Sequence, residues 1–384
     1  MEASRRPPWE RGALVQALAW PVGLAFGAVA RARGAAFDGG LLHSVRLDVP
    51  VVSIGNLSVG GTGKTPAALW LGARLRSLGW TPAIVTRGYG GQLGGRVLRA
   101  AAPGATAGEG WGDVAAVGDE AVLLAERFPG PVVCGVDRVA AARQAIERWG
   151  ADLVVLDDGF QHRRLARCFD LVLVDGGAGL GNGRVLPAGP LREPASALRR
   201  ADAIVATKVE SLPPALEREL GHLAPGVPIF HAALEPRCLV AAEGPATIER
   251  PLADVAGRAV VAVSGLARAE SFWQALDRLG ARVVEVMEYP DHHAYSHADW
   301  QRIGHAGRSA DLVVCTEKDL VKLRRFPFAR GGLLAVRVDF ALAAEAERDL
   351  VDRILLRTGS GARLRDEGGR VTPTVRRPVP DAGV

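Results

Sequence analysis

Eight consecutive residues, Ser58, Val59, Gly60, Gly61, Thr62, Gly63, Lys64 and Thr65, have the types and order of a phosphate-binding loop. Glycines at 60, 61 and 63 let backbone N–H groups converge on an anion without interference from side chains. A helix beginning directly after the loop adds its positive N-terminal end. Lys64 then reaches the β- and γ-phosphates of ATP, and the Thr65 hydroxyl serves Mg²⁺. The strict pattern has Gly at the first position, where Ser58 stands. A plain glycine-rich turn is the alternative, and the apolar strand and periodic helix on either side argue against it.

Other chemistry-bearing groups follow. Asp157 and Asp158 end an apolar run, where a carboxylate is the usual second Mg²⁺ anchor of a phosphate-loop enzyme; an N-cap is the alternative. Gly118 precedes Asp119, a candidate base, and Glu120, a candidate metal or positioning group, although a capping role suits this position too. Asp291-His292-His293 sets a histidine beside a carboxylate, which suits proton transfer near neutral pH; a surface pair is the alternative, and no zinc spacing accompanies it. The proline-set segment Leu186 to Pro194 offers Arg192 to a phosphate and Glu193 to a metal. Arg87 and Tyr89 follow another strand and could clamp an anionic substrate, with Gln161 and His293 as further substrate-facing candidates. Thr316-Glu317-Lys318-Asp319 could cap a helix or meet the nucleotide base or substrate.

These groups need a scaffold that gathers strand ends. Apolar runs at 50–55, 82–86, 131–134, 152–156, 170–174 and 201–207 read as strands. Helical patterns at 66–78, 119–127 and 137–149 alternate with them, and 91–112 reads as loop, with a hairpin as the alternative. That alternation predicts an α/β fold, a parallel P-loop NTPase sheet with helices on both faces and ligands at the carboxyl ends of the strands. Prolines at 225, 228, 236, 245 and 251 interrupt the pattern. A smaller C-terminal α/β unit follows, with strands at 259–264, 281–287, 311–315 and 333–338, helices at 269–279, 297–308 and 317–324, and a closing helix at 341–356. The expected organisation is a membrane-associated helix at 1–35, a kinase-type domain at 36–225, a linker or β-ribbon at 226–258, the second α/β domain at 259–357 and a disordered tail at 358–384.

The 384 residues are 48% hydrophobic, enough to bury more than one core, and only 5% aromatic, which argues against a base-stacking surface for nucleic acid. A net charge of +5 suits an anionic ligand or membrane and does not demand nucleic acid. Cys134, Cys168, Cys238 and Cys315 are far apart and suggest neither a disulfide framework nor a zinc site. Residues 13–30 are mostly apolar and flanked by Arg5, Arg6, Arg11, Arg31 and Arg33, which favours a helix lying in a membrane interface over a cleaved signal; a borderline transmembrane span and an ordinary buried helix are the alternatives.

Taken in order, Ser53-Ile54-Gly55-Asn56-Leu57 with the loop, Arg87-Gly88-Tyr89-Gly90, Gly118-Asp119-Glu120, Asp157 to His162, Asn182-Gly183, Leu186 to Pro194, Pro290 to His293 with Tyr295, and Thr316 to Lys322 resemble the tetraacyldisaccharide 4′-kinase family over about residues 12 to 340. The resemblance implies a monotopic enzyme on the cytoplasmic face of the bacterial inner membrane; a monomer is the separate expectation. Its cofactors would be ATP and Mg²⁺. It would phosphorylate the 4′-hydroxyl of an acylated glucosamine disaccharide 1-phosphate to give lipid IVA. It also implies a proton-accepting dyad of Asp119 with His292 or His293, His292 being favoured. Ala121 stands where the family pattern has Pro. The alternatives are a P-loop ATPase or GTPase serving as metallochaperone or switch, or a membrane scaffold with a vestigial site. Thr207-Lys208-Val209-Glu210 approaches a guanine-reading motif, with Glu in the Asp position.

Overall fold

The computed structural model describes residues 13–88, 98–100, 117–243, 246–266, 269–328 and 332–359, with residues 7 and 9. Tyr89, most of the 91–112 segment and the tail from 360 lie outside them.

The phosphate-loop half is built on β1 (Val51–Asn56), buried along its whole length because it is the central strand. It pairs in parallel with β5 (Leu153–Asp157) on one side and β6 (Phe169–Asp175) on the other. Beyond β5 come β2 (Pro82–Thr86), β4 (Val132–Cys134) and the short antiparallel β3 (Leu98–Ala100). Beyond β6 comes β7 (Ala203–Thr207). Strands buried on both faces read as unbroken apolar runs, which is why the sequence announces them. Helices α2 (Lys64–Ser77), α3 (Asp119–Arg127), α4 (Arg138–Trp149) and α5 (Pro214–Leu223) belong to this half. The sequence pattern left α5 unmarked, although Pro214 occupies its first turn, where a missing N–H costs nothing.

Residues 226–258 hold β8 (Ile229–Glu243) and β9 (Ala246–Arg250), which pair antiparallel. β8 is one 15-residue strand with two allegiances: its start runs parallel to β7, its remainder antiparallel to β13 (Leu333–Ala341). It therefore fuses both halves into one 13-stranded sheet of order β11-β10-β12-β13-β8-β7-β6-β1-β5-β2-β4-β3, with β9 off that path. Pro236, which disguises the strand in sequence, sits at a register shift against β13, where a residue lacking an N–H is tolerated. The second half adds β10 (Ala259–Ser264), β11 (Arg282–Glu288) and β12 (Leu312–Thr316), all parallel. Its helices are α6 (Glu270–Arg278), α7 (His297–Gly307) and α8 (Glu317–Leu323).

The closing helix α9 (Ala344–Arg357) returns to the first half: Leu350 and Ile354 are buried with Val52, Leu71, Leu75 and Phe230. It does so because β13 runs back along β8 and delivers the chain there.

At the N-terminus, α1 (Ala13–Asp38) buries only a stripe of small residues, Ala19, Gly23 and Gly27, one turn apart. The stripe lies on Val185 and Ala188 of the proline-set segment. Leu18, Trp20, Val22, Leu24, Phe26 and Val29 are left exposed. By length and composition α1 is apolar enough to cross a membrane.

Candidate active site

The phosphate loop leaves β1 at Asn56, whose buried side chain donates to Thr62 Oγ1 at 2.9 Å. Thr207, at the end of β7, donates to the Thr62 carbonyl at 2.9 Å. Both contacts fix the loop before any ligand arrives. Gly63 turns the chain into α2 at φ +82°, a left-handed value that a side chain would oppose. The proline-set segment braces the outer side: Val59 N–H donates to the Pro190 carbonyl at 2.8 Å and Arg192 N–H to the Leu57 carbonyl at 2.7 Å. The Leu186–Pro187 bond in that segment is cis.

Asp157 and Asp158 have different environments. Asp157, the last residue of β5, is 1% exposed and accepts from Thr86 Oγ1 at 3.1 Å. Its other oxygen is buried without a hydrogen-bond partner. Burial, with the nearby charges of Glu120 and Asp158, pushes its carboxyl up to about 7. Asp158 lies one residue on, in the left-handed region at φ 51°. Arg192 holds both of its oxygens at 2.9 Å and Lys64 approaches to 3.6 Å. Burial works to raise its carboxyl too, but the charges of Lys64 and Arg192 outweigh that and hold it below the usual range. A buried carboxylate oxygen lacking any donor, among acidic neighbours, fits a divalent cation. Of the two, Asp157 presents the oxygen that suits such an ion, and the loop motif would add the Thr65 hydroxyl. Among the described residues no three His, Cys, Asp or Glu converge as a metal cage.

The second cluster is assembled from α3, α8 and the loop after β11. Asp119, in the first turn of α3 and 4% exposed, faces His292 Nδ1 at 3.1 Å. Lys322 Nζ stands 3.0 Å from its other oxygen. Burial would raise the Asp119 carboxyl, but the His292 hydrogen bond and the charges of Lys318 and Lys322 hold it well below the ordinary range. It is therefore ionised throughout the neutral pH range. Lys318 stands 3.3 Å from Glu120, 2.8 Å from Asp291 and 3.2 Å from His292 Nε2.

Thr316 caps α8: its hydroxyl accepts from Asp319 N–H at the helix start. Asp319, fully buried, accepts from Thr316 Oγ1 at 2.7 Å, Gly265 N–H at 2.8 Å and Tyr295 OH at 3.0 Å. This pinned helix start aims Lys318 and Lys322, one turn apart, at Asp119 and His292.

The remaining predicted residues divide. His293 lies away from Asp119: its Nε2 is 3.0 Å from Asp299, which closes a capping box with Ser296, and its ring stacks on Tyr289. Glu193 is tied to Arg200 at 2.8 Å. Gln161 Nε2 donates to the Asn56 carbonyl at 2.9 Å, and its own carbonyl receives Arg33 of α1 at 3.1 Å. Arg87 is exposed at the end of β2. Arg138, unmarked in the sequence, is 5% exposed and lies within electrostatic reach of Arg87, Asp157 and Asp158. Its Nε is buried without a hydrogen-bond partner. Ala121, the departure from the family pattern, is fully buried in the first turn of α3, and the Asp119 geometry forms around it.

Sheet order, braced loop and strand-end carboxylates together define a P-loop nucleotide-binding protein. The narrower assignment comes from comparison. The family model described as Tetraacyldisaccharide-1-P 4′-kinase matches residues 15–355, and the chain belongs to that family. It is 42% identical over 358 residues to the tetraacyldisaccharide 4′-kinase of Anaeromyxobacter dehalogenans, covering 89% of this chain and 91% of the relative. It is 41% identical over 308 residues to that of Geobacter sulfurreducens, covering 80% and 83%. A crystal structure of LpxK from Aquifex aeolicus in complex with ATP superposes with a TM-score of 0.69 at 30% identity, covering 88% of this chain and 99% of that one.

Proposed function

We propose that the protein transfers the γ-phosphate of ATP to the 4′-hydroxyl of a tetraacyldisaccharide 1-phosphate, giving lipid IVA. The observation that carries this is the pairing of Asp119 with His292 at 3.1 Å, beside a braced phosphate loop and linked to it electrostatically through Glu120 and Asp157.

In this reading the loop amides from Ser58 to Thr65 and the start of α2 hold the phosphates. Lys64 leaves Asp158 for the β- and γ-phosphates, and Arg192 neutralises charge from the other side. Thr65 and Asp157, with Asp158 and Glu120 nearby, would hold Mg²⁺, which when bound supplies charge neutralisation on the phosphates. Asp119 orients the sugar hydroxyl and accepts its proton. Arg138 and Arg87 would receive the anionic part of the lipid, and Tyr89, Gln161 and His293 stay further substrate candidates on the sequence alone. The exposed apolar face of α1 and its arginines would rest the enzyme, as a monomer, on the cytoplasmic face of the inner membrane. The switch or metallochaperone alternative is not favoured: the matching family model and relatives are tetraacyldisaccharide 4′-kinases, and Lys208 of its candidate motif pairs with Asp175 at 2.8 Å.

The test is γ-labelled ATP with the detergent-dispersed disaccharide 1-phosphate. Label should appear on the 4′-oxygen and vanish with Lys64→Ala. Label on water alone would sink the proposal.

A further inference from the structure

The Asp119–His292 contact leaves one chemical question open: which imidazole nitrogen carries the proton. The surroundings answer it. Lys318 is an ammonium with three N–H bonds and nothing to accept with. Three groups stand around it: Asp291 Oδ1 at 2.8 Å, His292 Nε2 at 3.2 Å and Glu120 Oε1 at 3.3 Å. A protonated Nε2 would point its hydrogen at that ammonium, and the neighbouring carboxylate oxygen, Asp291 Oδ2, is 3.8 Å away, beyond hydrogen-bond length, so the geometry favours a bare Nε2. The ring proton is then on Nδ1, 3.1 Å from Asp119 Oδ1.

We propose that Lys318 is a positioning residue that fixes His292 in the Nδ1–H tautomer, making the histidine a permanent hydrogen-bond donor to Asp119 rather than a carrier of the transferred proton. The proposal rests on the reading of Asp119 as the group that receives the hydroxyl proton.

The arrangement has a direct consequence. Asp119 Oδ1 accepts from His292 and from the Glu120 N–H at 2.9 Å, so its direction is set. Oδ2 faces Lys322, itself shared with Asp319 at 3.5 Å and lying over the Tyr295 ring. The proton leaving the sugar hydroxyl goes to Asp119, and His292 keeps its own. The left-handed backbone of His292, at φ 58°, is held in place by its N–H bond to Asp291 Oδ1 at 3.0 Å, so the same Asp291 orders both His292 and Lys318. Neither contact is used by the phosphate loop.

A double-mutant cycle on the full-length enzyme tests this. Lys318→Met should lower kcat roughly 10- to 100-fold with the KM for ATP unchanged, the usual scale for losing a partner that orients a functional histidine. In a His292→Ala background the same change should cost less than about 2-fold, because there is no tautomer left to set. Equal losses in both backgrounds would mean that Lys318 acts through Glu120 or Asp291, and would overturn the proposal. Should Lys318→Met fail to fold, ¹⁵N-histidine NMR of the wild type answers the same question. Signals that disappear in His292→Ala should show Nδ1 protonated and Nε2 bare, and the reverse pattern overturns the proposal. Asp119→Asn separates the two layers. Full turnover in that variant would remove the base reading and this proposal together, whereas an inactive Asp119→Asn beside an additive cycle removes the Lys318 proposal alone.

Discussion

Gly23 of α1 and Ala188 of the proline-set segment are packed so closely that a Cβ on Gly23 would stand 2.8 Å from the Ala188 methyl. The same segment donates and accepts the hydrogen bonds that brace the phosphate loop. One face of α1 is thus fastened to the frame of the nucleotide site, and the opposite face presents Leu18, Trp20, Val22, Leu24, Phe26 and Val29.

That exposed face makes the first prediction. Leu18→Asp with Phe26→Asp should abolish pelleting with anionic-lipid vesicles, because each charge opposes insertion of the apolar face. The thermal midpoint in detergent should stay where it is, since neither side chain is buried. Unchanged pelleting would remove α1 as the membrane contact.

Arg127 joins the two halves of the molecule. It donates from α3 to Glu317 at 3.0 Å, to the Val338 carbonyl at 2.9 Å and to Asp339 at 2.6 Å. Arg127→Ala leaves the buried Glu317 with Arg337 as its remaining cation. We expect a loss of about 3 kcal/mol in denaturant unfolding, the scale of breaking a buried pair from one side. A loss below about 0.5 kcal/mol would place the pair with ordinary surface bridges.

His162 predicts a pH dependence of stability. Burial, with the charges of Arg138 and Arg167, lowers its folded pKa to about 4 from 6.5. Between those values the unfolded chain binds the extra proton, so the contribution is complete above pH 6.5 and is lost as pH falls toward 4. Partial solvent screening reduces the effect to about 1–2 kcal/mol. His162→Gln should flatten that part of the stability curve. A curve of unchanged slope would contradict the buried neutral imidazole.

How far the site could be read in advance followed from how local each feature is. The phosphate loop and Asp157 were legible because a glycine pattern and the end of an apolar strand are short-range signals. The resemblance favoured His292 over His293 without settling it, since the Ser296–Asp299 capping box that engages His293 makes itself felt only when the loop is folded. Lys318 and Lys322 carried a faint signal: they lie four apart, on one face of a helix capped by Thr316. Arg138 carried none, because a buried arginine near a helix start has the same letter as a solvated one. β8 was hidden by Pro236, which reads as a break and proves to be a bulge inside a continuous strand.

The central claim is that Asp119, oriented by His292, takes the proton of a sugar hydroxyl while the loop holds ATP. The most direct measurement is kcat for phosphorylation of the disaccharide at saturating ATP and lipid, comparing wild type with Asp119→Asn. The account predicts a fall of about 10²- to 10⁴-fold, the range for losing a positioned general base, with the KM for ATP unchanged. A kcat within about twofold of wild type would contradict it.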